Sequence, residues 1–144
     1  MTTVEIRSLG VTDYDAICDV WRAAGVNLRT QGRESHDNFA RQMAGGTQTV
    51  LGAMIGDQLV GVAVVTHDGR KGWVNRLGVL PDHQRQGVGT ALIRASEDLL
   101  HRLGLTIVAA LVEHGNTASL GLFEHEGYVL NDVYYLTKRD RPDA

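Results

Sequence analysis

The sequence has little cysteine, few aromatic residues and no long apolar run. Among its 144 residues, Cys18 is the single cysteine, which excludes an internal disulfide and any CxxC metal or redox motif. The longest apolar stretches, residues 59–65 and 107–112, are far shorter than the ~20 residues of a membrane-spanning helix. Near the start, Glu5 and Arg7 stand where a signal peptide would be apolar. We therefore expect a cytoplasmic protein with no membrane partner.

Charge and composition exclude further classes of protein. The net charge is −3, and no excess of basic residues favours nucleic acid as the main partner. Hydrophobic residues make up 43% and charged residues 22% of the chain, as in ordinary globular proteins and unlike disordered ones. The length is typical of one domain, so we expect residues 1–144 to form a single domain.

Hydrophobic periodicity predicts an α/β chain built on a mixed sheet. Alternating or continuous apolar runs predict strands at residues 4–9, 48–55, 58–66, 73–79 and 106–112, with a closing pair at 128–130 and 133–137. The run at 106–112 is typical of a strand that is covered on both faces. Helical spacing predicts helices from Thr12 to about Ala24, and at 37–44, 88–103 and 116–126. The predicted order is β-α-α-β-β-β-α-β-α-β-β, with helices on both faces of the sheet and a parallel crossover between 73–79 and 106–112.

A polar loop with two glycines joins a predicted strand to the longest predicted helix. Gly87 and Gly89 stand at the start of that helix, where main-chain N–H groups have no partner within the helix and attract anions. Gln84 and Arg85 can add side-chain donors. The pattern therefore favours a phosphate site, and a simple tight turn is the alternative. It is neither a Walker loop nor a complete dinucleotide fingerprint.

The same loop resembles a known signature. Residues 84–89, QRQGVG, are similar to the Gln/Arg-x-x-Gly-x-Gly/Ala pyrophosphate signature of the GNAT superfamily of acyl-CoA-dependent N-acyltransferases. Residues 116–128, NTASLGLFEHEGY, resemble the second block of that family. The resemblance implies a GNAT-like fold with a splayed central sheet. It also implies an N-acetyltransferase that uses acetyl-CoA as co-substrate and transfers the acetyl group to a primary amine by direct attack.

The resemblance also implies a cofactor site made largely of main chain. The strand edge at Leu77, Gly78 and Val79 would pair with the pantetheine arm. Asn116 would bind the pantetheine or cap its own helix, and Phe123 would lie near the sulfur. The pyrophosphate would be held by N–H groups of Gln86, Gly87, Val88, Gly89 and Thr90, with Gln84 and Arg85 beside them.

The expected catalytic groups depart from the common choices of the family. Phe123 stands where many members have the tyrosine that protonates the leaving thiolate, and Asn75 stands near a common glutamate base. We select Tyr128 as substitute acid, with Tyr134 and Tyr135 as further candidates and aromatic packing as the alternative for each. Glu113, which would face the gap between the strands, is the first candidate base, ahead of His114. The histidines show no metal-ligand spacing, so we expect no metal.

The acceptor would enter over residues 26–36 and the turn at 67–72. Glu34 and Asp37 could attract a cation there, whereas Arg29 and Arg33 could bind a carboxylate. The sequence therefore indicates a small-molecule or peptide amine without identifying it, and a homodimer is a possible assembly. A non-catalytic acyl-CoA-binding sensor is the alternative function, which Phe123 and Asn75 favour. A nucleotide-binding domain is a weaker third hypothesis.

Overall fold

Five strands form one mixed sheet in the computed structural model, which describes residues 3–142. The strands are β1 (Glu5–Leu9), β2 (Gln48–Ile55), β3 (Gln58–His67), β4 (Gly72–Val79) and β5 (Val108–Ala110). They lie in chain order; β1 to β4 pair antiparallel, and β5 pairs parallel to β4. The predicted mixed sheet and parallel crossover are therefore confirmed.

Four helices cover the two faces of this sheet, as predicted. They are α1 (Tyr14–Ala24), α2 (His36–Ala44), α3 (Val88–Arg102) and α4 (Thr117–His125). On one face, α3 and α4 pack Leu92, Leu100 and Phe123 onto the sheet. On the other, α1 and α2 pack apolar side chains such as Trp21 and Phe39. The cleft described below divides along the same two faces.

The first helix begins later than Thr12. A 3₁₀ turn over Val11–Asp13 precedes α1, and the Gly10 N–H donates to Asp13 Oδ2 at 2.8 Å. Asp13 therefore supplies the carboxylate that satisfies this N–H, and α1 begins after the turn that brings it there.

The last strand is shorter and more exposed than predicted. It covers only residues 108–110 of the expected 106–112. The expectation that both of its faces are covered is wrong, because Ile107 and Leu111 on either side are 55% and 51% exposed. An apolar run indicates a strand but does not reveal whether a neighbouring element covers it.

The predicted closing strand pair at 128–130 and 133–137 is absent. Within the described part of the chain, no strand follows Ala110, and β5 has β4 as its sole partner. From Val129 onward the side chains of the segment are exposed, including Tyr134 at 96% and Leu136 at 87%. High β-propensity stabilises a strand only where a neighbour offers main-chain partners and a surface to cover. Tyr128 is instead held against α4, since its N–H donates to Phe123 O at 3.0 Å.

Strands β4 and β5 separate after three residue pairs. They pair at Gly72–Val108, Trp73–Ala109 and Val74–Ala110, and β4 then continues to Val79 without β5. A bulge in β4 lies on this unpaired stretch, where Arg76 has a φ of 53°. Bulges bend a strand and increase its twist. The splayed sheet that the resemblance implies is therefore present.

No helix within residues 3–142 combines the length and the apolar character that a membrane span requires.

Candidate active site

An open cleft begins where β4 and β5 diverge. Its walls come from β4, from the loop before α3 and from residues 106–128, and it extends to the connection between α1 and α2. We call the part next to α3 and α4 the α3–α4 side, and the part next to α1 and α2 the α1–α2 side. The two sides meet at the unpaired edge of β4.

That edge carries the three strand residues predicted to contact the cofactor. Gly78 and Val79 pair with β3 on one side, and the opposite edge of β4 has no strand partner beyond Val74. Leu77 and Val79 pack against the α3–α4 core. A Cβ at Gly78 would lie within 3.2 Å of Trp21 Cδ1, so glycine allows α1 to approach the strand closely. The free edge can accept an extended chain of alternating donors and acceptors.

The loop before α3 is held open by local bonds. The Leu80 N–H donates to Val60 O at 2.8 Å, and Gln84 Nε2 donates to Val79 O at 3.3 Å. The backbone then takes left-handed values at Arg85, with a φ of 64°, and at Gly87, with a φ of 81°. Gly87 is the N-cap of α3, and no atom lies within 4 Å of the position of a Cβ there. The space in front of the helix is therefore open.

The first turn of α3 offers main-chain donors to that space. The Ala91 N–H donates to Gly87 O at 3.0 Å, so the N–H groups of Val88, Gly89 and Thr90 precede the first intrahelical donor. No side chain caps this end of the helix. Exposed N–H groups and the positive end of the helix dipole together favour an anion, such as a diphosphate.

Gly89 has a different structural role from Gly87. A Cβ at Gly89 would lie 2.6 Å from Leu122 Cδ2, so the bare glycine allows α4 to pack against α3. Gly89 is therefore explained by helix packing, whereas the space around Gly87 is open. A substitution of Gly89 would disturb Leu122 as well as any bound ligand.

The predicted residues of α4 lie on the α3–α4 side. Asn116 caps the helix, since its Oδ1 accepts the Ser119 N–H at 3.2 Å. Phe123 is buried and also lines the cleft. Its ring meets that of Tyr128 edge to face, with centroids 5.0 Å apart.

Tyr128 is bonded to α3. Its hydroxyl donates to Glu97 Oε2 at 2.9 Å. Burial, followed by this hydrogen bond, raises the pKa of Tyr128. The phenol therefore keeps its proton at neutral pH, but that proton is directed toward Glu97. The other candidate acids, Tyr134 and Tyr135, are exposed on the segment that follows.

Glu113 lines the cleft beyond the end of β5, and His114 follows it. The carboxylate lies close enough to the Arg76 guanidinium to raise the pKa of Arg76 electrostatically. Glu113 and the unpaired stretch of β4 therefore line the same cleft. Across the gap, the amide of Asn75 is already in use, because its Nδ2 donates to Thr66 Oγ1 at 3.1 Å.

The α1–α2 side is organised around a buried carboxylate. Glu34 is 7% exposed, and its Oε1 lies 2.9 Å from both Arg33 Nε and Arg76 Nη1. Its Oε2 accepts the Arg29 N–H at 3.0 Å. All its acceptor positions toward the loop are thus in use. The expectation that Glu34 attracts a cationic substrate is therefore wrong, because two arginines already neutralise it.

Arg76 connects this carboxylate to the bulge of β4. Its guanidinium stacks on Trp21, with Cζ 4.9 Å from the ring centroid, and also donates to Asn27 O. The Trp21 indole N–H in turn donates to Arg76 O at 2.7 Å. Burial lowers the pKa of Arg76, and Glu34 opposes that shift. Sequence inspection missed Arg76 and Trp21, because they are 55 residues apart and neither belongs to a motif.

The comparisons with known proteins decide the family. Residues 14–128 match the acetyltransferase (GNAT) family. The chain belongs to this family. GNAT enzymes are N-acetyltransferases that depend on acetyl-CoA, so the predicted family and enzyme class are confirmed.

Relatives of the chain agree along nearly its whole length. An acetyltransferase of Pectobacterium atrosepticum is 27% identical over 136 residues, which cover 94% of this chain and 95% of that protein. The PaiA N-acetyltransferase of Thermoplasma acidophilum, solved in complex with coenzyme A, superposes with a TM-score of 0.81. It is 18% identical, with 92% of this chain and 93% of that chain covered. An aminoglycoside acetyltransferase from an uncultured soil metagenomic sample, solved in complex with trehalose, gives 0.74 at 18% identity, covering 94% and 97%.

Two other predictions concern groups outside this chemistry. Cys18 is a buried free thiol on α1, as expected for a structural residue. Among residues 3–142, no three histidine, cysteine or acidic side chains are grouped so that they could hold a metal ion.

Proposed function

We propose that the whole chain acts as one domain that transfers the acetyl group of acetyl-CoA directly to a primary amine. In this proposal, acetyl-CoA lies on the α3–α4 side of the cleft and the acceptor enters on the α1–α2 side. The observation that carries the proposal is the combination of an uncapped α3 N-terminus with an unpaired β4 edge at one cleft. The first suits a diphosphate, and the second suits an extended pantetheine arm.

The cofactor contacts that we propose follow from this placement. N–H groups of residues 86–90 hold the pyrophosphate, and Gln84 and Arg85 border it. The main chain at 77–79 pairs with the pantetheine. Asn116 supports the site by capping α4, and Phe123 covers the thioester with an apolar surface. This arrangement aims the acetyl group into the gap between β4 and β5.

Glu113 is the proposed general base. The ammonium of the acceptor transfers a proton to its carboxylate, and the neutral nitrogen then attacks the thioester carbonyl. A carbon–nitrogen bond forms, and an N–H on β4 near Val79 stabilises the oxyanion. The carbon–sulfur bond breaks as the carbonyl re-forms, and the nitrogen releases its second proton to water, so the products are an amide and the thiolate of coenzyme A. Direct attack suits this cleft, because Cys18 is a buried residue of α1 that does not line the cleft, among the residues that the structure describes.

Tyr128 is the proposed acid, with a minor role. Its hydroxyl must leave Glu97 before it can protonate the thiolate, which adds a cost to that step. A thiol resembling cysteine has a pKa of only ~8.5, so the thiolate also leaves without an acid. In this proposal, Glu113 therefore contributes more to the rate acceleration than Tyr128 does.

An assay of coenzyme A release tests the proposal. Acetyl-CoA is incubated with a panel of primary amines, and the acetylated product is identified by mass spectrometry. We expect thiol release that depends on the amine and matches the amount of amide formed. Tight binding of acetyl-CoA without turnover on any amine would instead support the acyl-CoA sensor.

A further inference from the structure

The α1–α2 side of the cleft has an excess of positive charge. The charged side chains that line it are the three cations Arg33, Lys71 and Arg76 and the single carboxylate Glu34. Glu34 is buried and already bonded to Arg33 and Arg76. The fold therefore resolves the conflict between acidic and basic residues in this part of the sequence, because among residues 3–142 the one carboxylate that lines this side, Glu34, is already paired.

The cations differ in how freely they can meet a ligand. Arg76 is held by Glu34, by Asn27 O and by the ring of Trp21. Arg33 uses Nε for Glu34 and is 45% exposed, and its two terminal nitrogens have no protein partner within the described chain. Glu34 thus holds Arg33 through Nε, and the terminal nitrogens of this cleft-lining side chain stay available to a ligand. Such a fork suits a carboxylate or a phosphate.

The negative charge at the gap stands on the other wall. Glu113 follows the end of β5 and lines the cleft. Asp132 and Arg139, in the segment after Tyr128, also line the cleft, and their charges cancel. An acceptor that spans the gap therefore meets a carboxylate at one wall and a surplus guanidinium at the other.

From this arrangement we propose that the acceptor is an amine that also carries an anionic group, which Arg33 binds while the amine lies toward Glu113. This inference rests on the proposed function and narrows its acceptor to anionic amines. An oriented guanidinium–anion contact is worth about 1.5–3 kcal/mol, which corresponds to about tenfold or more in specificity. Amines without an anionic group, including polycations, should have a lower kcat/KM than amines that carry one.

Matched pairs of amines test the inference. Glycine is compared with glycinamide, β-alanine with β-alaninamide, and O-phosphoethanolamine with ethanolamine, with putrescine as the polycation. We expect kcat/KM for the anionic member to exceed that for its partner by about tenfold or more in at least one pair. The carboxylate and phosphate pairs distinguish the two sources of the anion. A neutral or cationic amine that equals or exceeds every anionic one would overturn the inference.

Variants of Arg33 test whether this residue supplies the preference. Arg33→Ala should reduce the ratio of kcat/KM between anionic and neutral partners to about threefold or less, and Arg33→Lys should retain part of it. Arg41→Ala removes an arginine of α2 that does not line the cleft and should leave the ratio unchanged. The ratio is informative because partial unfolding would lower both rates equally. If Arg33→Ala leaves the ratio unchanged, Arg33 does not supply the preference.

If the proposed function is wrong, the acetylation assays give a result that differs from failure of this inference. In that case acetyl-CoA binds but no amine is acetylated. The inference is then judged by calorimetry of glycine and glycinamide with the protein saturated with coenzyme A. Tighter binding of glycine that Arg33→Ala abolishes would support it. Equal binding, or no binding of either compound, would overturn it.

Discussion

The α3–α4 side of the cleft offers main-chain N–H groups, whereas the α1–α2 side offers charged side chains. On the first, a left-handed Gly87 and an uncapped helix present donors that any backbone of this shape would present. On the second, Glu34, Arg76 and Trp21 come from three separate segments. Main-chain recognition suits a constant ligand, because it does not depend on residue type. Side-chain recognition can change with single substitutions, which suits an acceptor that differs among relatives.

The difference also predicts which property is lost when a residue on each side is substituted. A substitution on the α3–α4 side should remove cofactor binding and leave the fold largely intact. A substitution in the Glu34 network should weaken the fold and acceptor binding, and should spare the cofactor. The following predictions test that separation, beginning with the largest expected effect.

Gly87→Asp should weaken binding of coenzyme A by about 100- to 1000-fold, because like charges brought together at a binding site cost several kcal/mol. Calorimetric titration with coenzyme A measures this loss. Gly104→Asp is the matched control, since Gly104 follows the other end of α3 with a φ of 85° and open space around its Cβ position. Both variants carry the strain of a left-handed aspartate, and only the first places charge at the cleft. Equal loss of affinity in the two variants would contradict the proposed pyrophosphate site.

Glu34→Ala should lower the free energy of unfolding by about 2–3 kcal/mol. The change leaves Arg76 partly buried without its carboxylate, and the value lies at or below the low end for buried ion pairs because Arg33 is nearly half exposed. Urea denaturation measures the change. Asp37→Ala, on the exposed first turn of α2, should cost less than about 1 kcal/mol.

The same Glu34 variant sharpens the comparison between the two sides. Folded Glu34→Ala protein should bind coenzyme A with an affinity within about twofold of the unaltered protein, since no Glu34 contact reaches the α3 loop. A large loss of affinity would show that the two sides are coupled through β4.

Glu113→Gln should lower kcat/KM for amine acetylation by about 100-fold, within the range typical of a general base. The loss should be smallest at alkaline pH, where more of the acceptor amine is already neutral. The pH dependence of the initial rate measures this trend, and Glu5→Gln, on exposed β1, serves as the control. A loss that is constant with pH would argue against a role in proton removal.

Tyr128→Phe should reduce turnover by less than about threefold, because a thiol with a pKa of ~8.5 can leave as the thiolate without a general acid. The effect of the substitution on the free energy of unfolding should depend on pH in a defined direction. Since the pKa of Tyr128 is raised in the folded state, the stabilisation that it provides is present below pH ~10 and is lost as the pH rises toward the higher folded value. Denaturation at pH 8 and at high pH should therefore show a cost of the substitution that diminishes at high pH. A drop in turnover of about 100-fold would instead assign Tyr128 a principal role as acid.

Several features could be predicted because their causes are local in the chain. The hairpin between β2 and β3 has Gly56 in the left-handed conformation, and Asn116 caps the helix that its position predicts. The conformation of the loop at residues 84–89 likewise follows from its own glycine and from the helix that comes after it. These signals depend on main-chain conformation over a few residues, so they indicated both the fold and the side of the cleft where we propose that the cofactor binds.

Other features were decided by contacts between distant residues. The sequence by itself determined a mixed α/β fold, because periodicity and turn chemistry are properties of neighbouring residues, and the resemblance of two short motifs indicated the GNAT family. Only the tertiary structure decided that Gly89 serves packing against Leu122, that residues 128–137 form no closing strands, and that Glu34 is neutralised by Arg33 and Arg76. The physical reason is that burial, strand pairing and ion pairing depend on which segments meet in space, and the residues that meet here are separated by tens of positions along the chain.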